Sequence, residues 1–526
     1  MNASEYIVHR LTQLGVDVVF GYQGGNITNI IDAIGKNENI KYIQNYNEQG
    51  AAFAANAYAQ ARESVGVAVS SSGPGAINLI NGIANAYYDS IPCLFITGNV
   101  NSKTIKTSSL VRQSAFQESD IVSMVSGTTI YANRILDASR LCYEMDKAVK
   151  MMLCGRPGPV LLDIPHDVQK QPVLSDCQKT FHIAQDTITA TVKDNIKDML
   201  RMLIQAKNPL LLVGGGCRNV SVRKKLRKVA ERLNIPVVSS LCGKDAFPND
   251  NKLYQGMIGT YGNHHANECL RACDLLLALG SRMDERQMYD SNGWIMNHPD
   301  IIHVDIDESE LNRVVESKYS ICCDVGLFLE KLLEGMGDGL CRESGGMCRT
   351  GMQKEDKVLA GDVEGAICGI IDIMQDIGAV TVDVGLHQMA VAKSAIIKKD
   401  VHFLNSAGLG CMGYAIPAAI GASYALPKKN IVAFVGDGGL QMNLQELQAL
   451  AREGLPILVV VMNNHKLQMI SDYHSKAFGG RYYGSKWGYS VPDIHKISEA
   501  FGISYEKWSG KYTHTVLPKI LEVEYE

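Results

Sequence analysis

Runs of apolar residues alternate with amphipathic, helix-like segments along almost the whole chain of 526 residues. Examples of the apolar runs are DVVFGY near the N-terminus, CDLLLALGSR in the middle and PILVVVMNN in the C-terminal part. Such runs are typical of strands that are covered on both faces, and their alternation with helices predicts an α/β protein with parallel sheets.

Two stretches interrupt this alternation. VQKQPVLSDCQKTF has few periodic apolar positions, and GMGDGLCRESGGMCRTGMQKED is rich in glycine and polar residues, as linkers are. The chain is also too long for one ordinary core. We therefore predict three doubly wound parallel-sheet domains at residues 1–170, 190–335 and 356–526, with a final helix in THTVLPKILEVEYE.

Composition excludes several classes of function. Hydrophobic residues make up 46% of the chain and charged residues 20%, with a formal net charge of -4, so neither nucleic acid nor a membrane surface is an expected partner. The start MNASEYIVHRLTQLG lacks the apolar core of a signal peptide, which makes a cytoplasmic location the expectation. The cysteines are scattered without the spacing of a zinc site.

The segment IVAFVGDGGLQMNLQELQAL carries the first candidate chemistry. Its apolar start predicts a buried strand, and Gly436, Gly438 and Gly439 allow a sharp turn and a close approach to a ligand. The next helix would point its free N–H groups at that turn, as helices do towards phosphate. Asp437 would repel a bare phosphate, which predicts a Mg²⁺ ion between the two. The alternative is a tight turn in which Asp437 only caps the helix.

A second strand, LPILVVVMNN, ends in Asn463 and Asn464. In a right-handed βαβ unit the carboxyl ends of the two strands lie side by side. Asp437 and Asn464 would then both reach one cation. An acid, an amide oxygen, a backbone carbonyl and two phosphate oxygens suit octahedral Mg²⁺.

GDG followed by NN at this spacing resembles the signature of thiamine-diphosphate (ThDP) enzymes. The resemblance implies a catalytic glutamate in the first block, which matches Glu48 in QNYNEQGAAFAANAYAQA. An acid there would hold a ring nitrogen of the cofactor, so that the cofactor's own amino group takes the C2 proton. Taken alone, Glu48 also fits a first-turn acid favoured by the helix dipole.

Further cofactor positions follow from the same resemblance. SSGPGAIN is similar to the loop against the pyrimidine, VDVGLHQM to the diphosphate loop and LNSAGLGCMG to the stretch that bends the cofactor into a V. Leu386 stands where most relatives have a polar residue. The implied contacts are Pro74, Asn78, Val384, Gly385, His387, Gly410, Met412 and Met469, with Lys466 as a further metal ligand beside Asn464.

The whole chain resembles the large catalytic subunit of acetolactate synthase (acetohydroxyacid synthase), in FGYQGGNITNIIDAI, GRPGPVLLDIPHDV, AFQESDIV and LALGSRMDER. The resemblance implies decarboxylation of pyruvate and its carboligation to a second 2-oxo acid, giving 2-acetolactate for branched-chain amino acid biosynthesis. It also implies a homodimer or homotetramer with active sites between chains, and a regulatory small subunit. Gly25 would lie by the reacting centre, Phe116 and Gln117 would line the substrate pocket, and Arg286 would bind the second carboxylate.

The middle block is similar to the FAD-binding domain of flavin-containing synthases, although the same domain binds ADP or nothing in other members. A glycine-rich turn after a strand does not decide between these alternatives. The matching positions are Gly214, Gly215, Gly216, Ser240, Leu241, Gly280, Arg282 and Asp305.

Several positions depart from the synthase pattern. His166 replaces a lysine, Asn47 a histidine, Tyr473 a tryptophan and Thr260 a methionine, and Gln23 and Asn26 stand where proline and alanine are common. These changes leave two alternatives open: a ThDP decarboxylase, or a carboligase with another acceptor such as a keto-sugar. A non-catalytic paralogue is a third alternative, against which the retention of Glu48, Asp437 and Asn464 argues.

Overall fold

A computed structural model describes residues 1–108, 110–173, 190–290, 293–297, 299–337, 342, 363–510 and 516–525, with the backbone only for residues 190–194. Within these residues, two compact units are found. One comprises Met1–Ile183, Ile373–His387 and Leu404–Glu526, and the other comprises Ala184–Asp372 and Gln388–Phe403. The domain boundaries drawn above stay a prediction.

The first sheet has six parallel strands in the order β2-β1-β3-β4-β6-β5. The buried strands β1, β3, β4 and β6 were expected from their apolar runs, whereas the short, half-exposed β2 and β5 were not. The strands are β1 (Val18–Gly21), β2 (Lys41–Gln44), β3 (Gly66–Ser70), β4 (Cys93–Asn99), β5 (Tyr131–Arg134) and β6 (Val160–Pro165). The helices are α1 (Ala3–Gln13), α2 (Thr28–Gly35), α3 (Glu48–Arg62), α4 (Pro74–Asn78), α5 (Ile80–Tyr88), α6 (Ile121–Val125) and α7 (Leu141–Leu153).

The second sheet is also parallel and six-stranded, in the order β14-β13-β10-β7-β8-β9, and a two-stranded antiparallel pair, β11 and β12, lies outside it. Its strands and this pair are β7 (Pro209–Val213), β8 (Val237–Ser239), β9 (Tyr254–Met257), β10 (Leu275–Leu279), β11 (Tyr289–Asp290), β12 (Gly293–Trp294), β13 (Asp300–Asp305) and β14 (Tyr319–Cys322). The helices are α8 (Ala190–Gln205), α9 (Val220–Leu233), α10 (His264–Ala272), α11 (Glu285–Met288), α12 (Val325–Met336) and α13 (Val363–Ile373).

The third sheet has the order β16-β15-β17-β18-β20-β19, and again all its strands are parallel. The strands are β15 (Ile377–Val382), β16 (His402–Asn405), β17 (Asn430–Gly436), β18 (Ile457–Asn463), β19 (Ser504–Lys507) and β20 (Lys519–Glu524). The helices are α14 (Leu386–Ser394), α15 (Ala415–Ala425), α16 (Asp437–Met442), α17 (Glu446–Glu453), α18 (Gln468–Ala477) and α19 (Ile494–Phe501). The predicted α/β class with three doubly wound parallel sheets is confirmed.

The prediction of a final helix is wrong. Residues 519–524 form β20, which pairs in parallel with β18 on one side and with β19 on the other. Ile520 and Leu521 are fully buried, so both faces of this strand are covered, as in a central strand. Pairing on both edges therefore overrides the helix-like pattern of this short segment.

Small residues let α3 and α15 pack closely within the first unit. A β-carbon at Gly421 would lie 2.0 Å from the carbonyl oxygen of Ala54, so only glycine fits there. Phe53 and Tyr414 meet edge to face nearby, with ring centroids 5.4 Å apart. This contact joins the helices of the first and third sheets in one core and fixes α3, which begins at Glu48.

No helix in the described part of the chain is long and apolar enough to cross a membrane.

Candidate cofactor and active site

Asp437 lies at the carboxyl end of β17, directly beside the end of β18. The two strands pair in register from Ile431 to Gly436, and the Asp437 side chain is only 3% exposed. Its Oδ2 accepts hydrogen bonds from the backbone N–H groups of His465 (2.7 Å) and Asn464 (3.2 Å). The predicted meeting of the GDG turn with the NN turn is therefore present.

The NN turn has a special backbone conformation. His465 has a φ of +56°, which is uncommon for a residue other than glycine. The Asn464 side-chain amide donates to Gln468 Oε1 at 3.0 Å. Among the described residues, no cluster of three His, Cys, Asp or Glu side chains suits a metal. A cation at Asp437 would thus rely on amide, backbone and phosphate oxygens, a donor set that suits Mg²⁺.

Asp383, which the sequence analysis did not single out, ties three cofactor-loop segments together. It is fully buried after β15 and accepts from the backbone N–H groups of Val384, Gly413 and Ala415 at 2.9–3.0 Å. A β-carbon at Gly439 would lie 2.7 Å from its Oδ1. Burial raises the pKa of this carboxyl to about 6, although the three N–H donors act in the opposite direction.

His387 lies under the GDG turn, where it is 6% exposed. A β-carbon at Gly385 or Gly436 would come within 2.8 Å of its ring, so both glycines leave room for the imidazole. Its Nε2 is buried and has no hydrogen-bond partner in the described part of the protein. Burial lowers the pKa of His387 to about 4, while a hydrogen bond with the backbone of Asp383 acts in the opposite direction. The neutral ring carries one N–H, and Nε2 would donate to a phosphate oxygen in the tautomer that has its proton there.

The remaining predicted positions of this sheet lie on the same edge. Gly410 has a φ of +75°, and Met412 Cε would be 3.1 Å from a β-carbon at Gly438. Lys466 and Met469 follow the NN turn, with Met469 in the first turn of α18. Their roles towards a cofactor stay predictions.

Glu48 opens α3 and is 8% exposed. Asn78 donates a hydrogen bond to its Oε2 at 2.9 Å, and a β-carbon at Gly75 would lie 2.9 Å from its Oε1. The turn that contains Pro74 therefore lies against Glu48, and the contact of this loop with the cofactor's pyrimidine stays a prediction. Asn47 caps the same helix by accepting from the N–H of Gln49, which is its structural role at this departure from the family pattern.

A second buried acid, Glu446 in α17, was also missed. It accepts hydrogen bonds from the side chain of Asn45 (2.8 Å) and from the backbone N–H groups of Tyr46 (3.0 Å) and Asn47 (3.1 Å). Burial raises its pKa to about 7, and these hydrogen bonds limit the rise. Glu446 thus fixes the segment that leads into Glu48.

A cavity of about 440 Å³ lies beside the Gly73–Pro74 turn. Phe116, which is 86% exposed, and Gln117 line it, together with the cations Lys106 and Arg112 and the acids Glu118 and Asp120. The role of Phe116 and Gln117 in a substrate pocket stays a prediction. Gly25 begins a short turn that follows β1. In this turn, the N–H of Asn26 donates to Ser71 Oγ.

In the second unit, Arg286 and Thr260 line a cavity of about 370 Å³ with Glu285 and Tyr289. The N–H of Thr260 donates to the Arg286 carbonyl oxygen at 2.8 Å, so two residues singled out separately are neighbours. Arg286 belongs to the second unit, whereas Glu48 and Asp437 belong to the first.

The positions compared with an FAD site lie at the carboxyl ends of four adjacent strands, β8, β7, β10 and β13. A β-carbon at Gly214 would lie 2.1 Å from the Gly280 carbonyl oxygen, so these glycines are needed for the contact of two turns. Ser240 accepts from the N–H of Gly243, and Arg282 pairs with Asp284 at 3.3 Å. Loop packing accounts for these glycines, and FAD binding stays a prediction. The set comprises Gly214, Gly215, Gly216, Ser240, Leu241, Gly280, Arg282 and Asp305.

Comparisons with known proteins agree with this arrangement. Residues 1–124, 196–332 and 383–522 match the N-terminal TPP binding domain, the central domain and the C-terminal TPP binding domain of thiamine pyrophosphate enzymes. The acetolactate synthase large subunit of Haemophilus influenzae is 33% identical over 524 residues, which cover 95% of this chain and 89% of the relative. The chain belongs to the acetolactate synthase large-subunit family.

Other members of this family are similarly related. The large subunit from Lactococcus lactis is 34% identical over 514 residues, 96% of this chain and 88% of the relative. The chloroplastic acetolactate synthase of Arabidopsis thaliana is 33% identical over 489 residues, 90% of this chain and 72% of the relative. As a member of this ThDP-dependent family, the chain has residues that fit the cofactor: a buried ring nitrogen, His387 Nε2, without a partner among the described residues, and glycines where the backbone must approach a ligand.

Proposed function

We propose that the protein decarboxylates pyruvate and joins the remaining two-carbon unit to a second 2-oxo acid, giving 2-acetolactate or a homologue. The observation that carries this proposal is the Asp437 carboxylate held by the N–H groups of Asn464 and His465. It supports a Mg²⁺ site at the carboxyl edge of a parallel sheet, beside a buried, unpartnered His387 Nε2.

Residues of the chain would have separate roles in proton transfer, phosphate binding and positioning of the loops. Bound ThDP supplies the nucleophilic carbon and accepts the electron pair released on decarboxylation. Glu48, oriented by Asn78, would hold a proton at the cofactor's ring nitrogen, since a buried carboxyl is well suited to that transfer. His387 would donate to a phosphate oxygen, and Asp383 would keep the surrounding turns in place.

The first test is to incubate the purified protein with pyruvate, ThDP and Mg²⁺ and to identify the products by mass spectrometry. Acetolactate is the expected product. Glu48→Gln should lower turnover by at least about a hundredfold while ThDP binding, followed by fluorescence titration, changes little. Glu38→Gln, at an exposed acid in the turn between α2 and β2, is the matched control. Full turnover in Glu48→Gln would contradict the assignment.

We also propose that each active site is formed by two chains of a homodimer or a larger homo-oligomer. The resemblance to acetolactate synthase large subunits, which implies active sites between chains, supports this proposal. Mixing inactive Glu48→Gln chains with inactive Asp437→Ala chains should restore about a quarter of the activity, since half of the dimers are mixed and each has one intact site. Absence of recovery after verified chain exchange would contradict the two-chain site.

A carboligase with a larger acceptor is the second candidate function. The cavity beside Gly73–Pro74 supports it, because a volume of about 440 Å³ is ample for an acceptor larger than a 2-oxo acid. Competing pyruvate with phosphorylated or keto-sugar acceptors in the same assay separates the two candidates. A regulatory small subunit and a cytoplasmic location are further proposals, the former suggested by relatives named as large subunits.

A further inference from the structure

The Asp437 carboxylate has a third hydrogen-bond donor that the family motif does not include. The hydroxyl of Tyr489 donates to Asp437 Oδ1 at 2.8 Å, while Oδ2 accepts from His465 and Asn464. Both carboxylate oxygens therefore already accept hydrogen bonds. Oδ2 is committed to the turn that brings Asn464 into place, so Oδ1 is the oxygen that a cation would use.

The Tyr489 hydroxyl lies on the ligand side of the GDG turn. A β-carbon at Gly438 would be 3.1 Å from this hydroxyl and 3.1 Å from Met412 Cε, so the Tyr489 and Met412 side chains both contact Gly438. A Mg²⁺ ion binds carboxylate oxygens at about 2.1 Å in strict octahedral geometry. The phenolic proton directed at Oδ1 and a cation at that distance repel each other.

The segment that carries Tyr489, residues 481–490, is held mainly by hydrogen bonds. Leu467 N–H donates to the Ser485 carbonyl oxygen at 3.0 Å, the buried Ser485 hydroxyl bonds to the His474 ring at 3.0 Å, and Gln441 Nε2 donates to the Ser490 carbonyl oxygen at 3.3 Å. The side chains of Tyr483 and Trp487 are 72% and 51% exposed and meet edge to face, with ring centroids 5.2 Å apart. Little buried apolar surface resists a displacement of this segment.

We propose that Tyr489 controls access of the divalent cation to Asp437: its hydroxyl and the cation compete for Oδ1, so metal binding displaces residues 481–490. This inference rests on the proposed role of Asp437 as a metal ligand. If the cation displaces this segment, metal binding also changes the position of the exposed side chains of Tyr483 and Trp487.

The test uses Mn²⁺ as the probe, titrated into the full-length protein with saturating ThDP and followed by electron paramagnetic resonance. A hydrogen bond to a charged carboxylate is worth about 1.5–3 kcal/mol, so Tyr489→Phe should bind Mn²⁺ about 12- to 160-fold more tightly. Tyr483→Phe removes a hydroxyl from the same segment without touching Asp437 and should bind like the wild type. Trp487 fluorescence should change on Mn²⁺ addition in the wild type.

The outcomes separate the two proposals. Equal or weaker Mn²⁺ binding by Tyr489→Phe would overturn the competition while leaving Asp437 as a ligand. Absence of ThDP-dependent Mn²⁺ binding in the wild type and in both variants would overturn the metal site itself and the competition with it.

Discussion

Lys244 is the most completely buried cation described in the second unit, and replacing it with methionine should stabilise the protein at neutral pH. Its side chain has no exposed surface, and its Nζ has no hydrogen-bond partner among the described residues. The ring of Tyr254, with its centroid 5.3 Å from Nζ, is its nearest aromatic contact. Burial lowers the pKa of this ammonium from 10.5 to about 7.

The sign of the pH dependence follows from that shift. The unfolded chain keeps the Lys244 proton up to about pH 10.5, whereas the folded chain loses it near pH 7. Between these values the unfolded state binds more protons, so the stability contribution of Lys244 improves as the pH rises. A difference of one bound proton between the two states changes the free energy of unfolding by about 1.4 kcal/mol per pH unit. Because Lys244 is already half deprotonated in the folded state at pH 7, the free energy of unfolding rises by roughly 2 kcal/mol between pH 7 and pH 9.

Chemical denaturation of the wild type and of Lys244→Met at pH 7, 8 and 9 measures this directly. Lys244→Met should be more stable than the wild type at pH 7, and the difference should shrink by roughly 2 kcal/mol by pH 9. Other groups titrate equally in both proteins and cancel in the comparison. A difference that stays constant with pH, or a variant less stable than the wild type at pH 7, would refute the reasoning.

Two further predictions concern the first unit. His387→Ala should weaken ThDP binding about ten- to a hundredfold, because a buried donor to a charged phosphate is worth about 1.5–3 kcal/mol; isothermal titration calorimetry measures this, and unchanged affinity would contradict it. Gly421→Ala should lower the free energy of unfolding by about 1–3 kcal/mol, since its β-carbon would lie 2.0 Å from the Ala54 carbonyl oxygen. Gly35→Ala, at a helix position with open space around it, is the control in the same melting experiment.

The central features of the site were predictable because short-range rules place them. A buried parallel strand, a glycine turn and a right-handed crossover bring Asp437 and the Asn464 turn together, and the structure has them in contact. Glu48, Asn78 and the Gly73–Gly75 turn were found through the family resemblance, since nothing in their local pattern distinguishes a catalytic acid from a first-turn acid.

The features that were missed depend on contacts between distant segments. Tyr489 and Asp437 are 52 residues apart in the sequence, and Glu446 and Asn45 are 401 residues apart. A local sequence pattern therefore cannot predict either contact. Asp383 did carry a signal, an acid at the end of an apolar strand. β20 was mistaken for a helix because only its pairing with β18 and β19 decides its conformation.

The contacts of α3 show how Glu48 is held in place within its own chain. Glu446 binds the N–H groups that lead into α3, and α15 packs against its length through Gly421. These contacts come from the third sheet of the same chain, yet Glu48 itself bonds to Asn78 of the first sheet. The third sheet thus holds α3 from one side while the Asp437 edge makes no hydrogen bond to the Glu48 cluster in the residues described. In the proposed two-chain site, each chain therefore holds its own Glu48 in place through α15 and α17, and the Asp437 edge that completes the site comes from the other chain.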